Sequence, residues 1–288
     1  MAEAKLLQGK LLAAEIQQKI RAKLEVFRAK QLETPSLMAV QAGEGSASDW
    51  YIGQQEKLAA QLGIRFEKAG PDKVRTQDEL LRTIGAAARG GFHGIFLAMP
   101  FPAGFNADEI LFHLDPRKDV EGVHPASLGQ IVLRKAKLIP PTAYAAYALI
   151  QSTGLQLRGK RAAIVGQSPI VGRPLNMLLG DERVTTTVCH TGTSETDLAK
   201  ILSESDIVVA CAGKPGIVKG AWIKPGAVVI DVGTTEMDGK LTGDVEFEAA
   251  KVRAAFITPV PGGVGPLTVT MLMQNLIHAY QWQKGIPD

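Results

Sequence analysis

The run Arg161-Ala162-Ala163-Ile164-Val165-Gly166-Gln167-Ser168-Pro169-Ile170-Val171-Gly172-Arg173-Pro174 passes from apolar residues into a glycine-bounded turn and on into a helix-like segment. In a strand-turn-helix of this kind, backbone N–H groups and the positive end of the helix aim at one spot, which suits a pyrophosphate. Glycine allows both the tight turn and the close approach of a ligand to the backbone. The spacing is not G-x-G-x-x-G: Ser168 stands in the place of the middle glycine, and Gly172 comes one residue late. Gly166, Gln167, Ser168, Val171 and Gly172 are the candidate cofactor contacts. Taken alone, the segment also fits a turn that holds no ligand.

Outward from this run, strand-like and helix-like segments alternate. A helix is predicted over 10–30, where Leu11, Leu12, Ile16, Ile20 and Leu24 follow the helical period. Leu37 to Val40 reads as a strand, 48–62 as a helix, Ile64-Arg65-Phe66 as the start of a strand, 77–88 as a helix, and Gly94 to Met99 as an apolar strand stopped by Pro100. A helix over 141–152 leads to Gly154 and Gly159, which mark a boundary. Strands follow at 185–190, 206–211, 227–231 and 254–257, and a helix at 267–283 after Pro266. The alternation predicts parallel strands joined by crossover helices, an α/β protein of two domains.

The 288 residues are 45% hydrophobic and 21% charged, enough for substantial cores and unlike a disordered chain. The net charge of +3 is spread along the sequence, so no nucleic-acid-binding stripe is expected. No apolar run approaches the roughly 20 residues of a membrane span, and the N-terminus lacks the pattern of a signal peptide. A cytoplasmic protein is expected. Cys189 and Cys211 lie in apolar strand-like runs and read as buried thiols rather than a disulfide or metal ligands.

An acidic residue that grips a ribose diol belongs at the end of the second strand, about 20 residues past the glycine turn. His190 and Thr191 stand there instead. Thr191 and Thr193 leave room for a 2′-phosphate but bring no cation, so NAD and NADP are not separated, and a histidine at a strand end also serves structure alone. Lys214 follows a predicted strand end and suits a ligand contact or a surface position.

Six further segments carry a resemblance: Tyr51 with its helix, Pro100-Phe101-Pro102, Lys118-Asp119-Val120-Glu121-Gly122 with His124-Pro125, Gly213-Lys214-Pro215-Gly216, Asp231-Val232-Gly233, and Thr258 to Pro266. Together with the glycine turn, they make the chain resemble the methylenetetrahydrofolate dehydrogenase/methenyltetrahydrofolate cyclohydrolase family over nearly its whole length. The resemblance implies an N-terminal α/β folate-site domain (1–145, with 267–288 packing back) and a Rossmann-like dinucleotide-binding domain (146–266), with the cleft between them, usually in a homodimer. It implies a folate substrate, with NADP or NAD as cofactor and NADP slightly favoured. The reaction implied is hydride transfer from 5,10-methylenetetrahydrofolate, then hydrolysis of the methenyl product to 10-formyltetrahydrofolate. It assigns Tyr51 to stacking on the folate, Pro261, Gly262 and Gly263 to the substrate side, and Gly213, Lys214 and Gly233 to the cofactor side.

The chain departs from the family at folate-facing positions. Gln55 replaces the catalytic lysine, Ala98 the glutamine that supports it, and Glu121 the aspartate that holds the pterin ring; the P-C-T-P segment is Pro140-Pro141-Thr142-Ala143. Tyr51 and Gln55 are four apart and share a helix face. Lys57 lies about 200° around the helix from Gln55 and reads as a surface residue. A glutamine amide does not titrate near neutral pH, and loss of a general acid–base costs on the order of 10² to 10⁴ in rate. Hydride transfer instead needs positioning and exclusion of water, because the folate nitrogens stabilise the emerging cation. The first expectation is therefore an NAD(P)-dependent dehydrogenase, with Tyr51 and Gln55 in the catalytic site and ring hydrolysis lost or weak. The alternatives are an enzyme that keeps both steps through Gln55, Glu121 or solvent, and a non-catalytic folate- or nucleotide-binding regulator.

Overall fold

The computed structural model describes residues 3–43, 46–237 and 239–287, which form two compact units. One unit comprises Glu15–Pro141 with the chain from Val269 onward; the other comprises the described residues up to Ala14 with Thr142–Thr268.

The strands in chain order are β1 (Lys5–Leu6), β2 (Ser36–Val40), β3 (Arg65–Ala69), β4 (Gly94–Leu97), β5 (Arg161–Val165), β6 (Thr185–Cys189), β7 (Ile207–Ala210), β8 (Val228–Asp231), β9 (Thr235–Met237), β10 (Lys240–Thr242) and β11 (Phe256–Ile257). The helices are α1 (Gly9–Ala29), α2 (Ser46–Leu62), α3 (Gln77–Arg89), α4 (Ala107–His113), α5 (Pro125–Val132), α6 (Pro141–Ser152), α7 (Gly172–Asp181), α8 (Glu195–Glu204), α9 (Phe247–Lys251) and α10 (Val264–Lys284).

In the first unit, β3-β2-β4 form a parallel sheet. The two-residue strand period sorts its side chains onto two cores. Leu37, Ala39 and Phe96 join Leu24, Ile52, Ala59 and Leu276 on one face. Val40, Ile95 and Leu97 join Leu80, Ile84 and Ile110 on the other. Helix α3 starts at a capping box in which Thr76 and Glu79 satisfy each other's backbone N–H. Past β4, the segment around Asp119 runs alongside that strand: Ile95 bridges Asp119, and its N–H donates to the Lys118 carbonyl at 2.7 Å.

Asn275 on α10 anchors this segment. Its buried amide donates to the carbonyls of Val120 (2.8 Å) and Ile139 (2.7 Å). Asn275→Ala strands both acceptors, at about 1–3 kcal/mol for each one that water does not reach. The expected result is a fall in Tm of several degrees, read by calorimetry, and a loosened Glu121 segment.

In the second unit, six parallel strands are ordered β1-β11-β8-β7-β5-β6, with β9–β10 as a separate antiparallel hairpin. After β5 the chain adds β6 on one side and then returns to add β7 on the other. The order therefore reverses between β5 and β7, the place where open parallel sheets bind ligands at the carboxyl ends of their strands.

The α/β architecture is the one expected, with differences in detail. The first 14 residues belong with the second unit because β1 pairs with β11 (Lys5 opposite Phe256, Leu6 opposite Ile257). Helix α10 begins at Val264, ahead of Pro266, because a proline in the first turn lacks only an N–H that has no partner in the helix. Cys189 is buried, whereas Cys211, one residue past β7, is only half-buried. Among the described residues no helix is long and apolar enough to cross a membrane, and no group of three or more His, Cys, Asp or Glu could hold a metal ion.

Candidate active site

Tyr51, Gln55 and Glu121 gather at the carboxyl end of the three-stranded sheet. Helix α2 carries Tyr51 and Gln55 on one face. The Tyr51 ring meets Phe96 edge-on at 5.5 Å, and its hydroxyl donates to Glu121 Oε1 at 3.4 Å. Gln55 is fully buried, and its amide lies beside the Tyr51 hydroxyl without reaching hydrogen-bond geometry with any partner. Lys57 is exposed. Lys118 does not pair with Glu121; its ammonium donates to the carbonyls of Ala88 (2.9 Å) and Phe92 (2.5 Å).

Glu121 is the perturbed group of this cluster. Burial, and then the charge of Asp119, push its pKa up to about 8, against the opposing Tyr51 hydrogen bond. Burial, followed by the Glu121 charge, likewise raises the Tyr51 hydroxyl. Asp119 is itself fully buried and raised by that burial, and it orders the following loop: Oδ2 accepts from the His124 N–H and the Ser127 hydroxyl, both at 2.8 Å. His124 then caps α5, its Nδ1 accepting from the Ala126 N–H at 2.9 Å. Asp119 and His124 thus shape the backbone that presents Glu121.

In the other unit, the glycine turn forms a narrow cradle. Gly166 has φ +125°, and a Cβ there would lie 2.4 Å from the Cys211 carbonyl oxygen. A Cβ on Gly172 would lie 2.0 Å from the Gly166 carbonyl oxygen. Helix α7 starts at Gly172 with no side-chain cap, and Ser168 braces the turn by accepting from the Val171 N–H at 3.2 Å. An uncapped helix start behind a turn that leaves no room for a Cβ at Gly166 or Gly172 fits a dinucleotide pyrophosphate. Gln167 is exposed, and its carbonyl accepts from Arg173.

At the end of β6, His190 and Thr191 are exposed. His190 Nδ1 accepts from the Gly192 N–H at 3.1 Å, which leaves Nε2 as the outward donor. Gly213 and Lys214, past β7, are also exposed. Gly262 accepts from the Gly9 N–H at 3.0 Å, and the Gly263 N–H donates to Pro259 at 2.9 Å, so the Pro261-Gly262-Gly263 turn is held against the start of α1. Gly233 is buried against Asp244.

Residues 7–121 match the tetrahydrofolate dehydrogenase/cyclohydrolase catalytic domain, and residues 140–284 match the NAD(P)-binding domain of the same family. The chain belongs to the tetrahydrofolate dehydrogenase/cyclohydrolase family. It is 42% identical to a Myxococcus xanthus protein named Bifunctional protein FolD 2, over 96% of each chain. It is 40% identical to the Bifunctional protein FolD of Geotalea daltonii, over 96% of this chain and 98% of that one. The structure superposes on a Trypanosoma brucei methylenetetrahydrofolate dehydrogenase-cyclohydrolase, solved with NADP and an inhibitor, with a TM-score of 0.94 at 36% identity, covering 99% of each chain. The second unit thus holds most of the NAD(P)-binding match and the first most of the catalytic match, while residues 269–284 of the NAD(P)-binding match lie in the first unit.

Two carboxylates brace the NAD(P)-binding domain: Asp231, which the Asp231-Val232-Gly233 segment contained without a role, and Asp244, which the sequence did not single out. Asp231 accepts from the N–H groups of Gly233, Asp244 and Val245, and burial pushes its pKa up to about 6. Asp244 accepts from the N–H groups of Ala212 (2.7 Å) and Gly213 (2.9 Å). The two carboxylates tie the loops after β7 and β8 to β10. Asp231 ends an apolar run and Asp244 follows Gly243, local signals that turns without function share.

Proposed function

We propose that this enzyme carries out both family steps: NAD(P)-dependent oxidation of 5,10-methylenetetrahydrofolate, and hydrolysis of the methenyl product through the Tyr51–Glu121 pair. The observation that carries the second step is the Glu121 carboxyl accepting from the Tyr51 hydroxyl beside Gln55, in surroundings that push its pKa up to about 8. The names of the two bacterial relatives also support two steps, over the expectation of lost hydrolysis that Gln55 alone suggested.

A bound nicotinamide supplies the hydride acceptor. The catalytic domain supplies placement: Tyr51 offers a ring face and Glu121 a polar anchor, while the folate nitrogens carry the developing cation. Ring opening adds water to the methenyl carbon, breaks its bond to one ring nitrogen, moves one proton to that nitrogen and releases another. Glu121 as a carboxylate takes a proton from water, and Tyr51 links it to the reacting centre. This does not need a lysine.

Gln55 favours a second reading, hydride transfer alone, because it brings no proton. Separate assays of NAD(P) reduction and of methenyltetrahydrofolate decay distinguish the two. Decay at the uncatalysed rate, with normal NAD(P) reduction, leaves the dehydrogenase alone. NADP is the proposed cofactor, supported by its presence in the Trypanosoma brucei relative; a higher kcat/KM with NAD overturns that choice. The family resemblance supports a homodimer, for which light scattering would give twice the chain mass.

A further inference from the structure

Gln41 follows directly on β2, and the sheet's hydrogen bonds continue past it. Its N–H donates to the Ala69 carbonyl at 2.9 Å, and the Ala98 N–H donates to the Val40 carbonyl at 2.9 Å. Alternation along an extended strand puts Gln41 on the same face as Leu37 and Ala39. That face holds the core cluster of Ile52, Phe96 and Ala98, against which Tyr51 packs. Gln41 is 1% exposed and Gln55 is 0% exposed, and in both residues neither amide atom has a hydrogen-bond partner. The charged neighbour of Gln41 is Asp49; the nearby Gln41 amide first, then Lys68 bonded at 3.2 Å, hold that carboxyl below its usual range, although the amide does not reach hydrogen-bond geometry.

A buried amide without a partner is destabilising, and native proteins carry few of them. Two such amides lie on one face, Gln41 at the carboxyl end of a parallel strand, where ligands bind. We infer that Gln41 is a substrate-binding residue whose carboxamide pairs with the heterocyclic head of the bound reduced folate, beside Gln55. A neutral carboxamide both donates and accepts, which matches the alternating edge of a lactam-bearing ring. A polyanionic glutamate tail calls for cations instead. This inference rests on the folate reading proposed above and adds a contact to it.

Gln41→Leu keeps the side-chain volume and removes the polar atoms. The expected result is a rise of about tenfold or more in the KM for methylenetetrahydrofolate, equal for substrates with one or several glutamates. The KM for NAD(P) should stay unchanged, and the Tm should stay at or above that of the wild type, because an unpaired amide has gone. An unchanged folate KM overturns the inference. So does a fall in Tm with both KM values rising together, which marks a structural support for Asp49 and α2. A KM that rises only for polyglutamylated substrate assigns Gln41 to the tail and overturns it too. Calorimetric titration with 5-formyltetrahydrofolate, which does not react in the dehydrogenase assay, separates this contact from the reaction. If the wild type reduces no NAD(P), the proposed reaction fails, and about tenfold weaker binding by the Leu variant still upholds Gln41.

Discussion

Glu121→Gln is expected to slow ring opening of methenyltetrahydrofolate by about 10² or more while NAD(P) reduction continues. The glutamine keeps the size and one acceptor oxygen of the native side chain, so Tyr51 retains a partner, but it does not take a proton from water. In the wild type, burial and Asp119 place the Glu121 pKa at about 8. Below that pH the group is a neutral acid, and above it the carboxylate that serves as base. The hydrolytic kcat/KM, which reports the free enzyme, should therefore climb as pH passes about 8 and level off above it. The variant should lose the climb. A wild-type profile flat across this range, or a variant that hydrolyses as fast as the parent, removes Glu121 from the proton path.

Gly172→Ala is expected to weaken NAD(P) binding by about 10- to 100-fold through distortion of the cradle. The direction is not obvious, because alanine favours a helix over glycine by about 1 kcal/mol. Sterics decide it. The new methyl would lie 2.0 Å from the Gly166 carbonyl oxygen and 2.8 Å from its carbon, both backbone atoms that no rotamer change can move. Overpacking of this kind costs about 1–3 kcal/mol, and the turn opens to relieve it. Cofactor titration by fluorescence reads the effect, and calorimetry with a folate ligand checks that the catalytic domain still binds. Wild-type cofactor affinity in this variant would place the pyrophosphate elsewhere.

The lesson of the site lies in what each residue depends on. Tyr51 and Gln55 share a helix face by spacing alone, so their pairing was legible at once. The lysine-free pocket was legible too, and it led to an expectation of lost hydrolysis. That expectation looked for a proton carrier where the family keeps one and did not weigh how the fold perturbs Glu121. A carboxylate in the sequence has an ordinary pKa; burial beside Asp119 changes it. Gln41 gave no signal, because a glutamine after an apolar run is ordinary at a strand end, and its unpaired amide exists only once the sheet is built.

Alternating apolar strands and amphipathic helices determined a parallel α/β chain, and the Gly166–Gly172 turn marked the strand-turn-helix of its NAD(P)-binding domain. Both are encoded within short windows, where period and backbone freedom act locally. The tertiary structure decided that residues 5 and 6 form a strand, since β1 exists only by pairing with β11 some 250 residues away. It also decided that Asn275 holds the Glu121 segment and that burial beside Asp119 raises the Glu121 pKa. Burial and partners set those properties, and both come from chain segments distant in sequence.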